Sequence, residues 1–134
     1  MSEKSEIGSP QEWLRYAEAD LSLARAPLPA GAMYEQLCFH AQQAAEKALK
    51  SILVSLGSDF PYTHDLRVLI EVFPQSIAVP PSIVNSAGLL TPYAVPYRYP
   101  GGYEPVQDEE RQAAVRAAEE VVEWARQCLS DLSG

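Results

Sequence analysis

The feature that most constrains the fold is a repeated seam of small and apolar residues at helical spacing. The first seam steps by four and three residues through Tyr34, Cys38, Ala41, Ala45, Ala48 and Ile52. The second takes the same steps through Ala114, Ala118, Val121, Ala125, Cys128 and Leu132. Because side chains three and four residues apart share a helix face, each seam predicts a long helix with one buried face. No segment alternates as a half-buried strand would, so the sequence predicts an all-α protein.

Capping signals predict the ends of the first two helices. Ser9, Pro10 and Glu12 form a capping box with proline at the first helical position, which predicts the start of a helix. Pro27 ends that helix, because proline cannot continue the backbone hydrogen-bond pattern. Gly57 is the expected C-cap of the second helix, since glycine readily adopts the left-handed conformation found there.

The remaining helices are shorter or follow a loop. Thr63 is the expected N-cap of a short third helix that Pro74 closes. A fourth helix is expected at about residues 82–90. The prolines and glycines of residues 92–102 predict an extended loop, and the last helix is expected to begin near Gln107.

These elements predict an up-and-down bundle of four to five helices in a single domain, residues 1–134, with its core at about 11–130. Apolar residues make up 47% of the chain and charged residues 21%, as in ordinary globular proteins.

No apolar run is long enough for a membrane span, and residues 1–6 do not resemble a signal peptide, so we expect a cytoplasmic protein. Cys38 and Cys128 are expected to be reduced, buried and not part of a metal site. No cofactor is expected.

The net charge of −8 is unevenly distributed. Residues 1–20 carry five acids against two bases and residues 104–134 carry eight against three, whereas residues 21–103 carry five of each. Nucleic-acid binding through phosphate depends on clustered lysine and arginine. A nucleotide or nucleic-acid site is therefore expected to be local and to lie in the neutral middle of the chain.

Two sets of polar residues could carry function. One is a row on the second helix at spacings of three and four, made of His40, Gln43, Lys47 and Lys50. It is either a solvated face, with Glu46 and Lys50 as an exposed ion pair, or a surface that binds phosphate or a partner. The other is His64, which either helps to cap the third helix or serves in acid-base chemistry, because histidine titrates near neutral pH.

The segment from residue 93 to residue 103 gathers four tyrosines around one arginine: Tyr93, Tyr97, Arg98, Tyr99 and Tyr103. Aromatic rings beside a guanidinium suit stacking on a base and hydrogen bonding to phosphate. The alternative is that the tyrosines pack on the bundle and Arg98 pairs with an acidic helix end. The sequence favours neither interpretation.

Several of these residues together resemble the HEPN domain family. The resemblance rests on Trp13 with Ala17 and residues 20–21, on the run of residues 38–50, on Thr63-His64-Asp65-Leu66, and on Arg98-Tyr99-Pro100. It covers residues from about 11 to 130. The resemblance implies a helical bundle that forms a homodimer and is often paired with a minimal nucleotidyltransferase in a toxin-antitoxin-like system.

The family resemblance also implies two alternative activities. Some members are metal-independent ribonucleases that use an Arg-x4–6-His motif, and others are proposed only to bind nucleotides or a partner. With four residues intervening after Arg98, the position that would hold the motif histidine is Tyr103, and no histidine follows His64. Tyrosine is a poor base at neutral pH, so the sequence favours binding over catalysis.

The resulting hypothesis is a homodimer that binds a nucleotide, an RNA or a nucleotidyltransferase partner through Lys47, His64, Arg98, Tyr99 and Tyr103. The alternative is a ribonuclease in which His64 or His40 replaces the missing histidine. Alanine-rich faces of the two long helices are expected to form part of the dimer contact. These alanines are Ala41, Ala44, Ala45 and Ala48 on one helix and Ala113, Ala114, Ala117 and Ala118 on the other.

Overall fold

Five α-helices make up the described part of the chain. The structure is a computed structural model, and it describes residues 8–94 and 104–133. The helices are α1 (Pro10–Arg25), α2 (Tyr34–Ser55), α3 (Leu66–Glu71), α4 (Pro81–Leu90) and α5 (Asp108–Ser133), and a 3-10 helix at Thr91–Ala94 follows α4. No strand occurs in these residues, so the predicted all-α bundle is confirmed. None of the described helices is both long and apolar enough to cross a membrane.

Helix α2 is the centre of the bundle. It packs most extensively against α1 and α5, and α4 packs against α5. The first predicted seam is buried here, from Cys38 to Ile52, and Gln42 and Ser51 of the same helix are also fully buried. Neighbouring elements therefore cover more of the circumference of α2 than the seam alone. For this reason polar side chains of the helix are also buried.

The predicted start of α1 and end of α2 are confirmed. Ser9 Oγ accepts a hydrogen bond from the Glu12 backbone N–H at 3.1 Å, and the Ser9 backbone N–H donates to Glu12 Oε1 at 2.8 Å. Gly57 follows α2 with a φ of 68°. The Ser58 N–H donates to the Leu53 carbonyl at 3.0 Å, which satisfies a carbonyl at the end of the helix.

Two other predicted boundaries are wrong, one at the start of a helix and one at the start of a loop. The N-cap of α3 is Asp65 rather than Thr63, because the Asp65 carboxylate accepts from the Arg67 N–H at 3.0 Å. Thr63 instead accepts from the Asp65 N–H through its hydroxyl. The loop expected from residue 92 begins as the 3-10 helix, in which Tyr93 is buried and hydrogen-bonds through its hydroxyl to Glu110.

The second seam is confirmed except at its end. Ala114, Ala118, Val121 and Ala125 are buried, as expected. Leu132 is 42% exposed, whereas Leu129 is buried. Leu129 lies four residues after Ala125 and so remains on the buried face, since an α-helix has 3.6 residues per turn.

The alanine-rich faces are packed inside a single chain. Ala41, Ala44, Ala45 and Ala48 are completely buried against neighbouring helices, and so are Ala114 and Ala118. A side chain already covered within one chain has no surface to offer a second subunit. The prediction of a dimer contact is therefore wrong for these six alanines, whose small size instead allows α1, α2 and α5 to approach closely. Ala113 is only partly buried.

Candidate functional site

One end of the polar row of α2 is covered, whereas His40, Gln43 and Lys47 are partly exposed. Glu46 is only 3% exposed and Lys50 only 9%. The Lys50 ammonium lies between two aromatic rings, 5.7 Å from the ring centroid of Trp13 and 5.5 Å from that of Phe60. The interpretation of Glu46 and Lys50 as an exposed ion pair is wrong, because α1 and the loop after α2 cover this part of the face.

Glu46 binds a histidine through one carboxylate oxygen and a lysine through the other. Its Oε1 lies 2.9 Å from His64 Nδ1, and its Oε2 lies 2.9 Å from Lys50 Nζ. Burial alone would raise the pKa of Glu46, but hydrogen bonds from Lys50 and His64 outweigh burial and hold that pKa below its ordinary value. Glu46 is therefore ionised at neutral pH.

Two glutamines complete the contacts around Glu46. The Gln42 amide donates to the His64 backbone carbonyl at 2.9 Å and to Glu46 Oε1 at 3.3 Å. The Gln43 amide donates to Gln42 Oε1 at 2.8 Å. Both the backbone and the ring of His64 are thereby held against α2, so the interpretation of His64 as a cap of α3 is wrong.

Asp20 of α1 repeats this arrangement with other residues. Its Oδ1 lies 3.0 Å from His40 Nδ1, and its Oδ2 lies 2.6 Å from Lys47 Nζ. Asp20 and Glu46 thus each bind one histidine and one lysine. We call this set the α2 polar surface: Asp20, His40, Glu46, Lys47, Lys50 and His64.

The hydrogen bond to Glu46 fixes the protonation pattern of the His64 ring. An ionised carboxylate only accepts, so Nδ1 carries the donated proton and Nε2 of the neutral ring is a free acceptor. The His64 side chain is half exposed. Tyr62 packs edge-on to the His64 ring at a centroid distance of 5.7 Å and is 94% exposed. A fixed imidazole therefore lies beside an aromatic ring that is open to solvent.

Of the residues predicted to bind a ligand, only Lys47 and His64 lie in the described part of the chain. They contact different carboxylates, Asp20 and Glu46. Because Glu46 and Lys47 are consecutive on α2, these two contacts belong to neighbouring faces of one helix turn. Arg98, Tyr99 and Tyr103 lie outside the described residues.

The sequence prediction missed Asp20, Gln42, Glu46 and Tyr62 as members of the site. Asp20 carries a signal that could have been used, because it lies on the apolar face of α1. Asp20 stands between Ala17 and Ala24 at spacings of three and four. A charged residue at such a position has to be paired when it is buried, which predicts a basic partner on a neighbouring element.

The fold and the α2 polar surface define a small helical-bundle domain in which two carboxylates each bind one histidine and one lysine. The chain belongs to the HEPN domain family, whose family model matches residues 10–128.

Solved structures of similar chains agree with this assignment. The chain is similar to TT1696 from Thermus thermophilus, with 29% identity, a TM-score of 0.78, and coverage of 89% of this chain and 97% of that one. It is also similar to ST0689, described as an archaeal HEPN homologue, with 27% identity, a TM-score of 0.69, and coverage of 89% and 96%. An HEPN domain protein from Thermotoga maritima shares the fold at 24% identity and a TM-score of 0.57, with coverage of 90% and 93%. No curated protein matches significantly.

Proposed function

We propose that the protein binds a nucleotide at the α2 polar surface, without catalysing a reaction. The observation that carries this proposal is the contact of His64 Nδ1 with buried Glu46, which leaves Nε2 directed away from its protein partner. Nε2 of a ring held in this way is available for a hydrogen bond to the ligand. Exposed Tyr62 beside it offers a face on which a base can stack.

The charges of the α2 polar surface favour one small anion over a polynucleotide. Lys47 and Lys50 are paired with Asp20 and Glu46, so the two lysines leave no uncompensated positive charge on this surface. Long nucleic acids bind through many uncompensated cations. In this proposal Arg98, Tyr99 and Tyr103 add contacts to the same ligand.

Titration calorimetry with ATP, GTP and a short RNA tests the proposal. We expect His64→Ala and Tyr62→Ala each to weaken nucleotide binding by about tenfold, the effect of losing one charged hydrogen bond or one stacked base. Tyr16→Ala is the matched control, because Tyr16 is an exposed tyrosine of α1. Wild-type affinity in both site variants overturns the proposal, and wild-type affinity in Arg98→Ala removes Arg98 from the site.

The contact between His64 Nδ1 and Glu46 also supports a second candidate function, a metal-independent ribonuclease. A carboxylate that orients an imidazole through Nδ1 leaves Nε2 able to take up or release a proton, as a general acid-base group requires. Arg98 is then the residue that stabilises charge on the phosphate. Labelled RNA incubated with the protein in EDTA tests this candidate. Cleavage that disappears in His64→Ala supports it, and intact RNA with wild-type protein excludes it.

We also propose that the protein acts as a homodimer beside a minimal nucleotidyltransferase. The support is the resemblance to HEPN proteins that occur in two-component, toxin-antitoxin-like systems. The contact surface has to lie outside the buried alanines. Light scattering at micromolar concentration distinguishes a dimer from a monomer of 14.7 kDa. Co-purification with the product of an adjacent nucleotidyltransferase gene tests the partner.

A further inference from the structure

A groove between the end of α1 and the first half of α5 is lined mainly by arginines. Its lining residues are Arg25, Arg111, Gln112, Val115 and Arg116, and its volume is about 240 Å³. The described part of the chain contains eight lysines and arginines, and three of them meet here. Such a concentration is unexpected in a chain of net charge −8, and none of the lining residues is acidic.

Arg111 forms the fixed wall of this arginine groove. It donates to the carbonyls of Ala24 and Ala26 at 3.0 and 2.9 Å. Its other hydrogen bonds are to Asp108 Oδ1, at 3.0 Å from Nε and 2.6 Å from Nη2. Four of the five N–H groups of Arg111 are therefore in use. Arg111 fixes the groove and its charge but has little left to offer a ligand.

Arg25 and Arg116 are the two arginines able to contact a ligand. Arg25 directs Nε and Nη2 to one oxygen of Glu119, at 2.8 and 2.7 Å, and both side chains are about half exposed. An exposed ion pair of this kind contributes little to stability, so a stronger anion can replace Glu119. Arg116 is exposed at the opening of the groove. Arg116 also lines a second groove, together with Glu119, Glu120 and Glu123.

We propose that the arginine groove binds a phosphate group, with Arg25 and Arg116 as its ligands and Glu119 as an internal competitor for Arg25. Guanidinium groups match phosphate oxygens in geometry and charge, and two oxygens can be bound at once. The groove is smaller than the roughly 300–1,000 Å³ of pockets that enclose a whole small molecule. It therefore accommodates the phosphate of a nucleotide or of an RNA end, while sugar and base remain outside. The site shares no residue with the α2 polar surface.

Three probes separate the sources of the phosphate. These are inorganic phosphate, AMP, and a 3′-labelled RNA compared with and without a 5′-phosphate. We expect inorganic phosphate, AMP and the 5′-phosphorylated RNA all to bind at low salt, and the 5′-phosphorylated RNA to bind more tightly than the 5′-hydroxyl RNA. The double variant Arg25→Ala/Arg116→Ala should weaken each by about tenfold or more, because it removes both charged donors.

Two further variants make the test specific. Arg15→Ala/Arg67→Ala removes two exposed arginines elsewhere and gives the same net charge, so its affinity should equal that of the wild type. Glu119→Gln releases Arg25 from its carboxylate and should tighten binding by about two- to fivefold, the range of an exposed ion pair. A structural role of Arg25 alone predicts no such gain.

The side-chain amide of Gln112 gives a readout in the wild-type protein, in case the double variant does not fold. Its NMR signals should shift on titration with AMP, since Gln112 lines the groove. The proposal is overturned if the three probes do not bind, if both double variants bind equally, or if Glu119→Gln binds no tighter. Loss of binding in His64→Ala, with wild-type affinity in Arg25→Ala/Arg116→Ala, places the anion on the α2 polar surface instead.

Discussion

His64 Nδ1 lies 2.9 Å from Glu46 Oε1, although the two residues are 18 positions apart in the sequence. This contact joins the segment before α3 to the middle of α2. It has a structural consequence, because it helps to keep a buried carboxylate ionised. It has a chemical consequence as well, because it fixes which nitrogen of His64 remains available to a ligand.

Glu46 should make the stability of the fold depend on pH in the acid range. The pKa of Glu46 in the folded state lies below its ordinary value of about 4.3. Its contribution is therefore fully present above about pH 4.3 and is lost as the pH falls through the folded-state pKa. Glu46→Gln should show a shallower loss of stability than the wild type as the pH falls below about 4.3, measured by urea denaturation. The exposed control Glu120→Gln should retain the wild-type slope, and an unchanged slope in Glu46→Gln contradicts the prediction.

Removal of Lys50 should be more damaging than removal of the whole ion pair. Lys50→Met leaves the buried Glu46 carboxylate without its ammonium partner, which we expect to cost about 3 kcal/mol of unfolding free energy. Glu46→Gln/Lys50→Met leaves no buried charge and should recover part of that loss. Urea unfolding of both single variants and the double variant gives the coupling energy. Additive effects show that the two side chains do not depend on each other.

Arg111 should be required for the junction between α1 and α5. Its guanidinium donates to two carbonyls at the end of α1 and lies 5.5 Å from the ring centroid of Tyr34. Arg111→Lys keeps the charge but not the forked geometry, so we expect a loss of about 1–3 kcal/mol in unfolding free energy. The exposed Arg67→Lys is the control. Similar urea midpoints for the two variants show that Arg111 acts only as a charge.

The buried alanines should not tolerate larger side chains. Ala45 is completely buried at the centre of α2. Ala45→Leu should lower the unfolding free energy by about 2 kcal/mol or more, because the surrounding helices have to separate. Ala19→Leu places the same side chain at an exposed position of α1 and should be nearly neutral. A dimer contact through Ala45 predicts instead a change in subunit association without loss of monomer stability.

The local sequence determined most of the secondary structure of this protein. The capping box at Ser9, the seam centred on Ala45 and the left-handed Gly57 depend on residues within a few positions of each other. Spacing and capping chemistry therefore predict them. The predictions failed where two short-range signals competed, as with Thr63 and Asp65, both of which can cap a helix.

Only the tertiary structure decided which polar side chains are buried and which charges meet. Periodicity assigns Glu46 and Lys50 to a face of α2 but does not reveal that Trp13 and Phe60 cover that face. Nor does it bring Arg111 to the end of α1, to carbonyls as far as 87 residues away in sequence. The physical reason is that the environment of a side chain depends on the elements packed against its helix. Their arrangement is fixed only when the whole core closes.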